Sequence, residues 1–364
     1  MCELLVHALD VGSVDKDRLT HGFHSYPARM HWATPARLIE ELGLAGRRVL
    51  DPFSGSGTVA IEASVAGCAA FGVDLSPFAV RLARVKADPL SLELRQELPL
   101  LASVLRTESE ELVRARSKIR AELPASEIGW YEPHVLKEMA GLFSRIEALE
   151  AEPLREVLRF VFSSLVIKFS RQRSDTSPEL VERRVRKGLV SEFFERKAFE
   201  LAERLSILAE ALPGPCAQFA QGDARSFSHL LSDKVDCIIS SPPYGGTYDY
   251  LDHHARRLAW LGIPGGQMSE AELGARRRGD DVARFSHEMA DVLSSLRRVL
   301  VKDGWLFLLM GDGQHGEERV PADGMIGELA EDAGFAPVAV ASQRRFDFRG
   351  GLPREEHLMA LRAI

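Results

Sequence analysis

Hydrophobic and polar positions in the first ninety residues alternate between short apolar runs and amphipathic stretches. The spacing in PARLIEEL (35–42) predicts a helix, RRVLDPF (47–53) is typical of a short buried strand, and GTVAIEASVAG (57–67) predicts a helix with one apolar face. A second strand follows at AAFGVDL (69–75), and a second helix begins at the Ser-Pro pair of SPFAVRLARVKA (76–87). This order of strand, glycine-rich turn, helix and strand indicates the start of a doubly wound α/β sheet.

Residues 91–215 have a different pattern, rich in Leu, Glu and Arg and with helical spacing in several long stretches. We interpret them as a helical insertion that divides one α/β domain into residues 1–90 and 216–364. The α/β pattern resumes in that second part, where apolar runs predict strands. These runs are AQFAQGDAR (217–225), VDCIISSPPY (235–244), GWLFLLMGDG (304–313), APVAVAS (336–342) and EEHLMALR (355–362).

The composition is that of an ordinary globular chain, with 364 residues of which 45% are hydrophobic and 27% are charged. A net charge of −7 counts mildly against a nucleic-acid partner, although basic residues gather at 171–188, 275–279 and 344–351. Each such run by itself is typical of a solvated surface. Four cysteines without C-x-x-C spacing, a start without a basic region and no apolar run of membrane-spanning length lead us to expect a cytoplasmic protein without a signal peptide.

Candidate chemistry begins at the glycine-rich turn in VLDPFSGSGTVAIEA (49–63). Gly55 and Gly57 let the backbone approach a ligand closely, and the helix that follows offers unpaired N–H groups. The next strand ends in Asp74, 23 positions after Asp51, where an acid binds a ribose diol in such folds. Because neither a third glycine nor a phosphate-binding lysine follows, the turn suits a cofactor with a ribose but no phosphates, and S-adenosylmethionine is the obvious one.

Four motifs in a consistent order resemble those of the DNA amino-methyltransferases, which transfer a methyl group to N6 of adenine or N4 of cytosine. They are DPFSGSGT (51–58), the acid at Asp74, QGDA (221–224) and SPPY (241–244). The segment FHSYPARM (23–30) is similar to the motif that, in this family, precedes the glycine-rich turn and covers the methionine end of the cofactor. The resemblance implies a Rossmann-like, S-adenosylmethionine-dependent methyltransferase fold with a seven-stranded, mostly parallel sheet and an antiparallel strand near its end.

The resemblance also implies a set of cofactor-binding residues. The glycine-rich turn would line the methionine end, and the FHSYPARM segment would cover it. Asp74 would hold the ribose, and Asp223 would accept a hydrogen bond from the adenine amine. The full set is Tyr26, Pro27, Ala28, Asp51, Phe53, Gly55, Gly57, Asp74 and Asp223.

The SPPY turn, formed by Ser241, Pro242, Pro243 and Tyr244, follows a predicted strand that its prolines must end. An exocyclic base amine is a poor nucleophile because its lone pair is delocalised into the ring. The hydroxyl of Ser241 and the rigidly held carbonyl of Pro242 would accept hydrogen bonds from the amine and direct its lone pair at the methyl group. Tyr244 would stack on a base flipped out of the duplex, since the amine cannot be reached inside it.

A few features of the sequence distinguish the possible target bases and the alternative methyltransferase reactions. Serine in the first position of the motif is often found in N4-cytosine enzymes of this family, so Ser241 favours cytosine N4, with adenine N6 as the alternative. A guanine-N2 tRNA methyltransferase usually carries an N-terminal RNA-binding domain, whereas about twenty residues precede HGFHSYPARM (21–30) here. A protein glutamine methyltransferase has Asn in the first position. Methylation of cytosine C5 needs a catalytic cysteine, and the Pro215-Cys216 pair precedes a strand instead of following one.

Residues that recognise the substrate cannot be carried over by motif, because the target-recognition part of this family varies. We expect it in the insertion, where the cationic stretch KFSRQRSDTSPE (168–179) would form a loop near the DNA, although an ordinary interhelical loop explains this stretch equally well. The second candidate is RRFDFRGG (344–351), which a β-hairpin with a Gly-Gly turn explains as well. The candidate substrate-binding residues are Arg171, Arg173, Ser174, Tyr248 and Arg345. The histidines lack the spacing of a metal site, so we expect no metal. The expected partner is duplex DNA with a flipped base, and the oligomeric state stays open.

Overall fold

A sheet of seven strands forms the centre of the protein. The computed structural model describes residues 1–115, 119–245, 249–275, 282–315, 318–345 and 354–364. The strands are β1 (Arg48–Asp51), β2 (Ala69–Asp74), β3 (Gln172–Ser174), β4 (Ser177–Leu180), β5 (Gln218–Gln221), β6 (Val235–Ser240), β7 (Leu300–Gly311), β8 (Gly313–His315), β9 (Glu318–Val320), β10 (Phe335–Arg345) and β11 (Arg354–Ala363). The helices are α1 (Cys2–Leu9), α2 (Ala33–Glu41), α3 (Thr58–Val65), α4 (Pro77–Ala87), α5 (Leu92–Arg114), α6 (Ala125–Ile128), α7 (Pro133–Glu147), α8 (Glu152–Phe169), α9 (Leu189–Ala211), α10 (Tyr250–Leu261), α11 (Gly266–Ala271), α12 (Val282–Val299) and α13 (Ala322–Asp332).

The strand order of the central sheet is β10-β11-β7-β6-β1-β2-β5. The five strands from β7 to β5 run parallel to one another. Strand β11 is antiparallel to both of its neighbours, β7 and β10. The predicted doubly wound, seven-stranded, Rossmann-like sheet with an antiparallel strand near its end is therefore confirmed.

Both faces of the sheet are covered by helices. Successive strand residues point to opposite faces, and Val49 of β1 accordingly belongs to one hydrophobic cluster while Leu50 belongs to the other. The first cluster contains residues of α2 to α4, and the second contains residues of α12 and α13. Because the faces are closed, ligands reach this sheet at the ends of its strands.

The segment between α4 and β5 contributes α5 to α9 and a small two-stranded sheet. Its buried side chains, such as Leu105, Phe162 and Phe194, belong to the same hydrophobic cluster as Val49 of the central sheet. The insertion therefore packs as a continuation of the core. Among the described residues, none of the helices combines the length and the apolar character that crossing a bilayer would require.

The cationic stretch of the insertion forms a hairpin, where the sequence predicted a loop. Strands β3 and β4 pair antiparallel, with Gln172 opposite Leu180 and Ser174 opposite Ser177. Arg183 supports the hairpin by donating to the carbonyl of Gln172 at 2.8 Å. Strands this short and polar carry no hydrophobic alternation, so the pattern of the sequence could not distinguish them from a loop.

Candidate functional site

A cleft opens at the carboxyl ends of β1, β2 and β6. It encloses about 950 Å³ of space, a volume that includes its solvent-open mouth. Strands β1 and β2 end in the two carboxylates Asp51 and Asp74. The predicted site residues that line the cleft are Tyr26, Ala28, Asp51, Phe53, Gly55, Asp74, Asp223, Ser241 and Pro243. The fold thus brings four motifs that are distant in the sequence into one site.

The glycine-rich turn between β1 and α3 depends on its glycines for shape. Gly55 has φ +48° and Gly57, which precedes the first residue of α3, has φ +87°, a region that favours glycine. A Cβ atom at Gly55 would lie 3.1 Å from Cε1 of Tyr26. The ring of Tyr26 therefore packs directly over the backbone of the turn.

A buried lysine supports the same turn from below. The ammonium group of Lys86, on α4, donates to the carbonyl oxygen of Ser56 at 2.7 Å and to its hydroxyl at 3.1 Å. Lys86 has no exposed surface, and burial lowers the pKa of its side chain well below the usual value. No motif pointed to this residue, because a lysine in an amphipathic helix is expected at the surface.

Asp74 is held by the backbone on both of its oxygens. Its Oδ2 accepts from the N–H of Gly55 and its Oδ1 from the N–H of Ser76, each at 2.8 Å. Burial raises the pKa of Asp74 to about 6, and the nearby carboxylate of Glu272 raises it further while these hydrogen bonds oppose the shift. A carboxylate oxygen can accept more than one hydrogen bond, so both oxygens keep capacity for a ligand.

Asp51 joins the glycine-rich turn to the strand that carries SPPY. Its Oδ1 accepts from the hydroxyl of Ser240 at 2.6 Å and from the N–H of Phe53 at 3.0 Å. Burial raises the pKa of Asp51 to about 7, although these two hydrogen bonds oppose the shift. The end of β1 and the end of β6 are therefore fixed relative to each other by one carboxyl group.

Asp223 lines the cleft but is already engaged by a cation. Arg225 binds it through Nε at 2.9 Å from Oδ1 and through Nη2 at 2.6 Å from Oδ2. Burial would raise the pKa of Asp223, but the hydrogen bonds from Arg225 outweigh it and lower the pKa below the usual value. Arg225 also donates to the carbonyl of Ala271, on the wall of the cleft. Asp223 is thereby held ionised and in place.

Two residues of the SPPY turn line the cleft, and its tyrosine packs against the sheet. Ser241 and Pro243 line the cleft. The hydroxyl of Tyr244 donates to Oε1 of Glu356, on β11, at 2.9 Å. A Cβ atom at Gly311, the last residue of β7, would lie 2.7 Å from Cε2 of Tyr244, so one side of this ring packs on the backbone of the sheet.

The segment that contains Tyr26 is fastened by a buried arginine. Arg257, on α10, has no exposed surface and donates to the hydroxyl of Ser25 at 2.9 Å. The same guanidinium forms an ion pair with Asp175, at the turn of the β3–β4 hairpin. The ring of Tyr26 is also stacked with that of Tyr250, with centroids 6.5 Å apart. The insertion, the covering segment and the helix that follows SPPY thus meet at one side chain.

Glu272 is the main cleft residue that the sequence did not indicate. Its side chain is buried, lines the cleft and accepts from the N–H of Tyr250 at 2.6 Å. Together with Asp51, Asp74 and Asp223 it places four carboxyl groups around the cleft, against one cationic side chain, Arg29, among the described lining residues. Glu272 lies in SEAELG (269–274), which has no motif, so only its position in the fold reveals it.

The remaining predicted site residues do not line the cleft or lie outside the residues that the structure describes. Arg171 is half-buried and lies 3.7 Å from Glu132, and the exposed Arg173 pairs with Glu179 at 3.0 Å. Pro27, Gly57, Pro242 and Tyr244 do not line the cleft themselves, although each is next in the chain to a residue that does. Ser174 follows Arg173 in β3. Tyr248 and the side chain of Arg345 lie outside the described residues.

Two rival chemistries have candidate residues away from the cleft. Cys216 precedes β5, and burial raises the pKa of its thiol, which is the opposite of what a nucleophilic cysteine needs. Asp312, Glu355 and His357 have potential metal-ligand atoms within 4.8 Å of one another. The ring nitrogens of His357 lie 2.7 Å from the hydroxyl of Ser342 and 2.9 Å from Oδ1 of Asp312.

The chain is similar to known type II methyltransferases, at low identity. It is 19% identical to the type II methyltransferase M.MjaII of Methanocaldococcus jannaschii, over 82% of this chain and 73% of that protein. It is 24% identical to M.BsoBI of Geobacillus stearothermophilus, over 68% of this chain and 54% of that protein, so it spans about half the length of this second relative. No protein-family model matches the chain.

Comparison with solved structures gives only loose overlaps. The structure of TrmN from Thermus thermophilus overlaps with 92% of this chain and 49% of that one, at 14% identity and a TM-score of 0.36.

Proposed function

We propose that this protein is an S-adenosylmethionine-dependent DNA methyltransferase that modifies an exocyclic base amine, with cytosine N4 as the favoured target. One observation carries the proposal. Ser241 and Pro243 of the SPPY turn line the same cleft as Asp51 and Asp74, which end the two strands beside the glycine-rich turn. An acceptor for the target amine and a site for a ribose-containing cofactor therefore share one cavity. The similarity to type II methyltransferases supports this class of reaction.

The charge of the cleft suits S-adenosylmethionine. This cofactor carries a sulfonium, an ammonium and a carboxylate group, so it has one more positive than negative charge. Four carboxyl groups surround the cleft, and burial raises the pKa of Asp74, to which the negative charge of Glu272 adds a smaller increase. A cationic ligand relieves that repulsion. Arg29, which lines the cleft as well, is suited to the carboxylate of the ligand.

Each part of the cofactor has a matching residue in the cleft. The carboxylate of Asp74, held at its two oxygens by the backbone, accepts from the ribose hydroxyls. Asp223, kept ionised by Arg225, accepts from the adenine amine. Tyr26 lies over Gly55 and covers the methionine end. These assignments follow the resemblance, and the positions of the side chains are compatible with them.

The SPPY turn prepares the amine for transfer. S-adenosylmethionine, when bound, supplies an electrophilic methyl group. The hydroxyl of Ser241 and the carbonyl of Pro242 accept hydrogen bonds from the target amine and turn its lone pair toward the methyl group. The amine nitrogen forms the new N–C bond as the bond between the methyl carbon and the sulfonium sulfur breaks. The electron pair of the broken bond stays on the sulfur, which leaves as a neutral thioether, and the methylated amine releases its proton to water. Because Ser240 is tied to Asp51, the turn is fixed relative to the cofactor side of the cleft before the base arrives.

The insertion, residues 91–215, is proposed to take part in target recognition. Its hairpin is fastened to the covering segment through Asp175 and Arg257. Arg173 is exposed on this hairpin, as a residue that contacts a DNA backbone has to be. The half-buried Arg171 is the second candidate in this segment.

Nucleoside mass spectrometry tests the proposed function most directly. The chain is expressed in a host without its own base methylation, and its DNA and RNA are digested and compared with those from a Ser241→Ala variant. We expect N4-methylcytosine in the DNA, reduced at least about 100-fold by Ser241→Ala because the variant loses an acceptor that acts on the reacting amine. The matched control is Ser232→Ala, which removes an exposed hydroxyl and should retain full methylation.

The outcomes separate the parts of the proposal. N6-methyladenine in place of N4-methylcytosine would keep the mechanism and correct the base. Modified RNA with unmodified DNA would replace the proposal with a tRNA-type methyltransferase. Full methylation by Ser241→Ala would overturn the role of the turn, and unmodified DNA and RNA would overturn the proposed function.

A further inference from the structure

The tyrosine of the SPPY turn rests on a place in the sheet that is shaped for it. Gly311 of β7 stands directly opposite Glu356 of β11 in the antiparallel ladder. Paired residues of neighbouring strands present their side chains on the same face of a sheet. Because Gly311 has no side chain, that face has room for the ring of Tyr244, whose Cε2 would be 2.7 Å from a Cβ at this position. Glu356 then meets the hydroxyl of the same ring at 2.9 Å.

Glu356 is a buried carboxylate that is held by two donors. Its side chain is 8% exposed, and a buried charge is costly unless its oxygens accept hydrogen bonds. Oε1 accepts from the hydroxyl of Tyr244, and Oε2 accepts from Nε2 of Gln343 at 3.0 Å. Gln343 stands opposite Glu356 on β10. Three adjacent strands therefore contribute Gly311, Glu356 and Gln343 to one support for the tyrosine.

The contact also affects the residue that acts on the target amine. Burial and the carboxylate of Glu356 raise the pKa of the Tyr244 phenol well above its usual value, and a hydrogen bond with Ser241 opposes them. A serine hydroxyl has one proton to donate and two lone pairs that can accept. If the phenol proton is committed to Glu356, the phenol oxygen is left to accept from Ser241, and the lone pairs of Ser241 stay available to the amine.

We infer that Glu356 is a positioning residue for the methyl-transfer site. It accepts a hydrogen bond from the phenol of Tyr244 and so holds the ring against the sheet at Gly311. The inference rests on the proposed function of the SPPY turn and adds a residue 112 positions further along the chain. Glu356 fixes the ring on which the flipped base would stack and sets the direction of the Ser241 hydroxyl. It contacts neither the cofactor nor the base, so its effect must pass through Tyr244.

A double-mutant cycle on the purified full-length chain tests this inference. The variants are Tyr244→Phe, Glu356→Gln and the two combined, and the assay is transfer of a labelled methyl group from S-adenosylmethionine to DNA from a host without base methylation. We expect each single variant to lower kcat roughly tenfold, which is the effect of one lost hydrogen bond to a charged group. The combined variant should lose no more than Tyr244→Phe alone, because Glu356→Gln weakens, by removing the charge of the acceptor, the same hydrogen bond that Tyr244→Phe removes. The KM values for DNA and cofactor should stay within about twofold, since the contact acts on the bound base.

The matched control is Glu355→Gln, the neighbouring carboxylate on β11. Its side chain lies on the other face of the strand, 3.7 Å from Arg344, and is more exposed. This variant has the same charge change and should keep the kcat of the wild type. Its unfolding temperature also shows whether loss of a carboxylate on β11 destabilises the fold by itself.

Several results would overturn the inference. Wild-type kcat in both single variants would show that the contact does not matter, and losses that multiply to roughly hundredfold in the combined variant would show that Glu356 acts without the phenol. A raised KM with unchanged kcat would indicate a binding role. If Glu356→Gln fails to fold, Tyr244→Phe alone decides, because it removes only the hydroxyl. An inactive wild type would instead overturn the proposed function itself.

Discussion

At the scale of single residues, two carboxyl groups in the cleft are buried without a cationic partner among the described residues. Asp51 accepts from a serine hydroxyl and a backbone N–H, and Asp74 accepts from two backbone N–H groups. Burial raises the pKa of Asp51 to about 7 and that of Asp74 to about 6. A raised pKa means that the ionised form is disfavoured in the empty cleft, and a cationic ligand reverses that preference. The affinity for a cationic ligand should therefore increase with pH, whereas the stability of the ligand-free protein should decrease.

The affinity for S-adenosylmethionine should increase with pH because Asp74 must ionise to bind the ribose and favour a cation. We expect about a fourfold tighter dissociation constant at pH 7.5 than at pH 5.5, since a carboxyl group with a pKa of about 6 is roughly a quarter ionised at the lower value. Asp74→Asn should weaken binding about tenfold and remove this part of the pH dependence. Isothermal titration calorimetry over that range measures both. Asp88→Asn, an exposed residue at the end of α4, is the control and should behave as the wild type.

The stability of the cofactor-free protein should decrease with pH as Asp51 and Asp74 ionise, which is the opposite of the trend for cofactor affinity. Their folded-state pKa values lie above the unfolded value, so their contribution to the free energy of unfolding is fully present below about pH 4. It is lost as the pH rises through about 6 and about 7, by at most about 1.4 kcal/mol per pH unit for each carboxyl group. Urea denaturation should show a smaller loss in Asp74→Asn. An affinity and a stability that both keep the wild-type pH dependence in this variant would show that Asp74 is not the titrating group.

At the scale of elements, the glycine-rich turn is positioned from both sides. The ring of Tyr26 packs over Gly55, and the ammonium group of Lys86 holds the carbonyl and the hydroxyl of Ser56 from within the core. The shape of the turn therefore depends on α4, the helix after the second strand, as well as on its own glycines. The turn is preorganised for a ligand by a residue that does not contact it.

Replacing Lys86 should weaken cofactor binding through the shape of the turn. Lys86→Met keeps the length of the side chain but leaves the oxygens of Ser56 without its two hydrogen bonds. We expect the dissociation constant for S-adenosylmethionine to rise about fivefold, and the free energy of unfolding to fall by about 1–3 kcal/mol. Calorimetry and urea denaturation measure the two effects. Lys302→Met changes an exposed lysine and should leave both quantities unchanged, whereas wild-type affinity in Lys86→Met would refute this role.

At the scale of the whole molecule, the insertion and the α/β part are joined by an ion pair between a fully buried arginine and a partly buried aspartate. Arg257 of α10 binds Asp175 of the hairpin and Ser25 of the covering segment. The insertion also shares its hydrophobic cluster with one face of the sheet. A contact that DNA makes with the hairpin would therefore act next to the segment that covers the cofactor.

Breaking this ion pair should destabilise the whole chain. Asp175→Ala leaves the guanidinium of Arg257 buried without its carboxylate, and we expect the free energy of unfolding to fall by about 3–5 kcal/mol. The control lies in the same hairpin, because Arg173→Ala removes an exposed pair with Glu179 and should cost less than about 1 kcal/mol. Urea denaturation of the three proteins measures the difference. Similar losses in both variants would show that Arg257 is not dependent on Asp175.

The order of strands and helices in the α/β part and the motifs at the strand ends could be predicted from the sequence. Apolar runs at 47–53 and 235–244, and the Ser-Pro start of the helix at 76–87, are local signals, because each depends on neighbouring residues alone. Parallel strands place their carboxyl ends at one edge, so Asp51, Asp74 and the SPPY turn had to meet there. The resemblance of the motifs supplied their expected roles.

The residues that support that site could not be predicted from the sequence, because they meet through the packing of elements that are distant along the chain. Tyr244 and Glu356 are 112 positions apart, Arg257 and Asp175 are 82 apart, and Ser240 and Asp51 are 189 apart. Glu272 and Lys86 belong to no motif, and the short polar hairpin at 172–180 has no hydrophobic alternation. A local pattern records which face of an element is apolar, but it does not record the partner of a buried polar group. That partner is set by how the elements pack, because a buried charge is tolerated only where the fold supplies its hydrogen bonds.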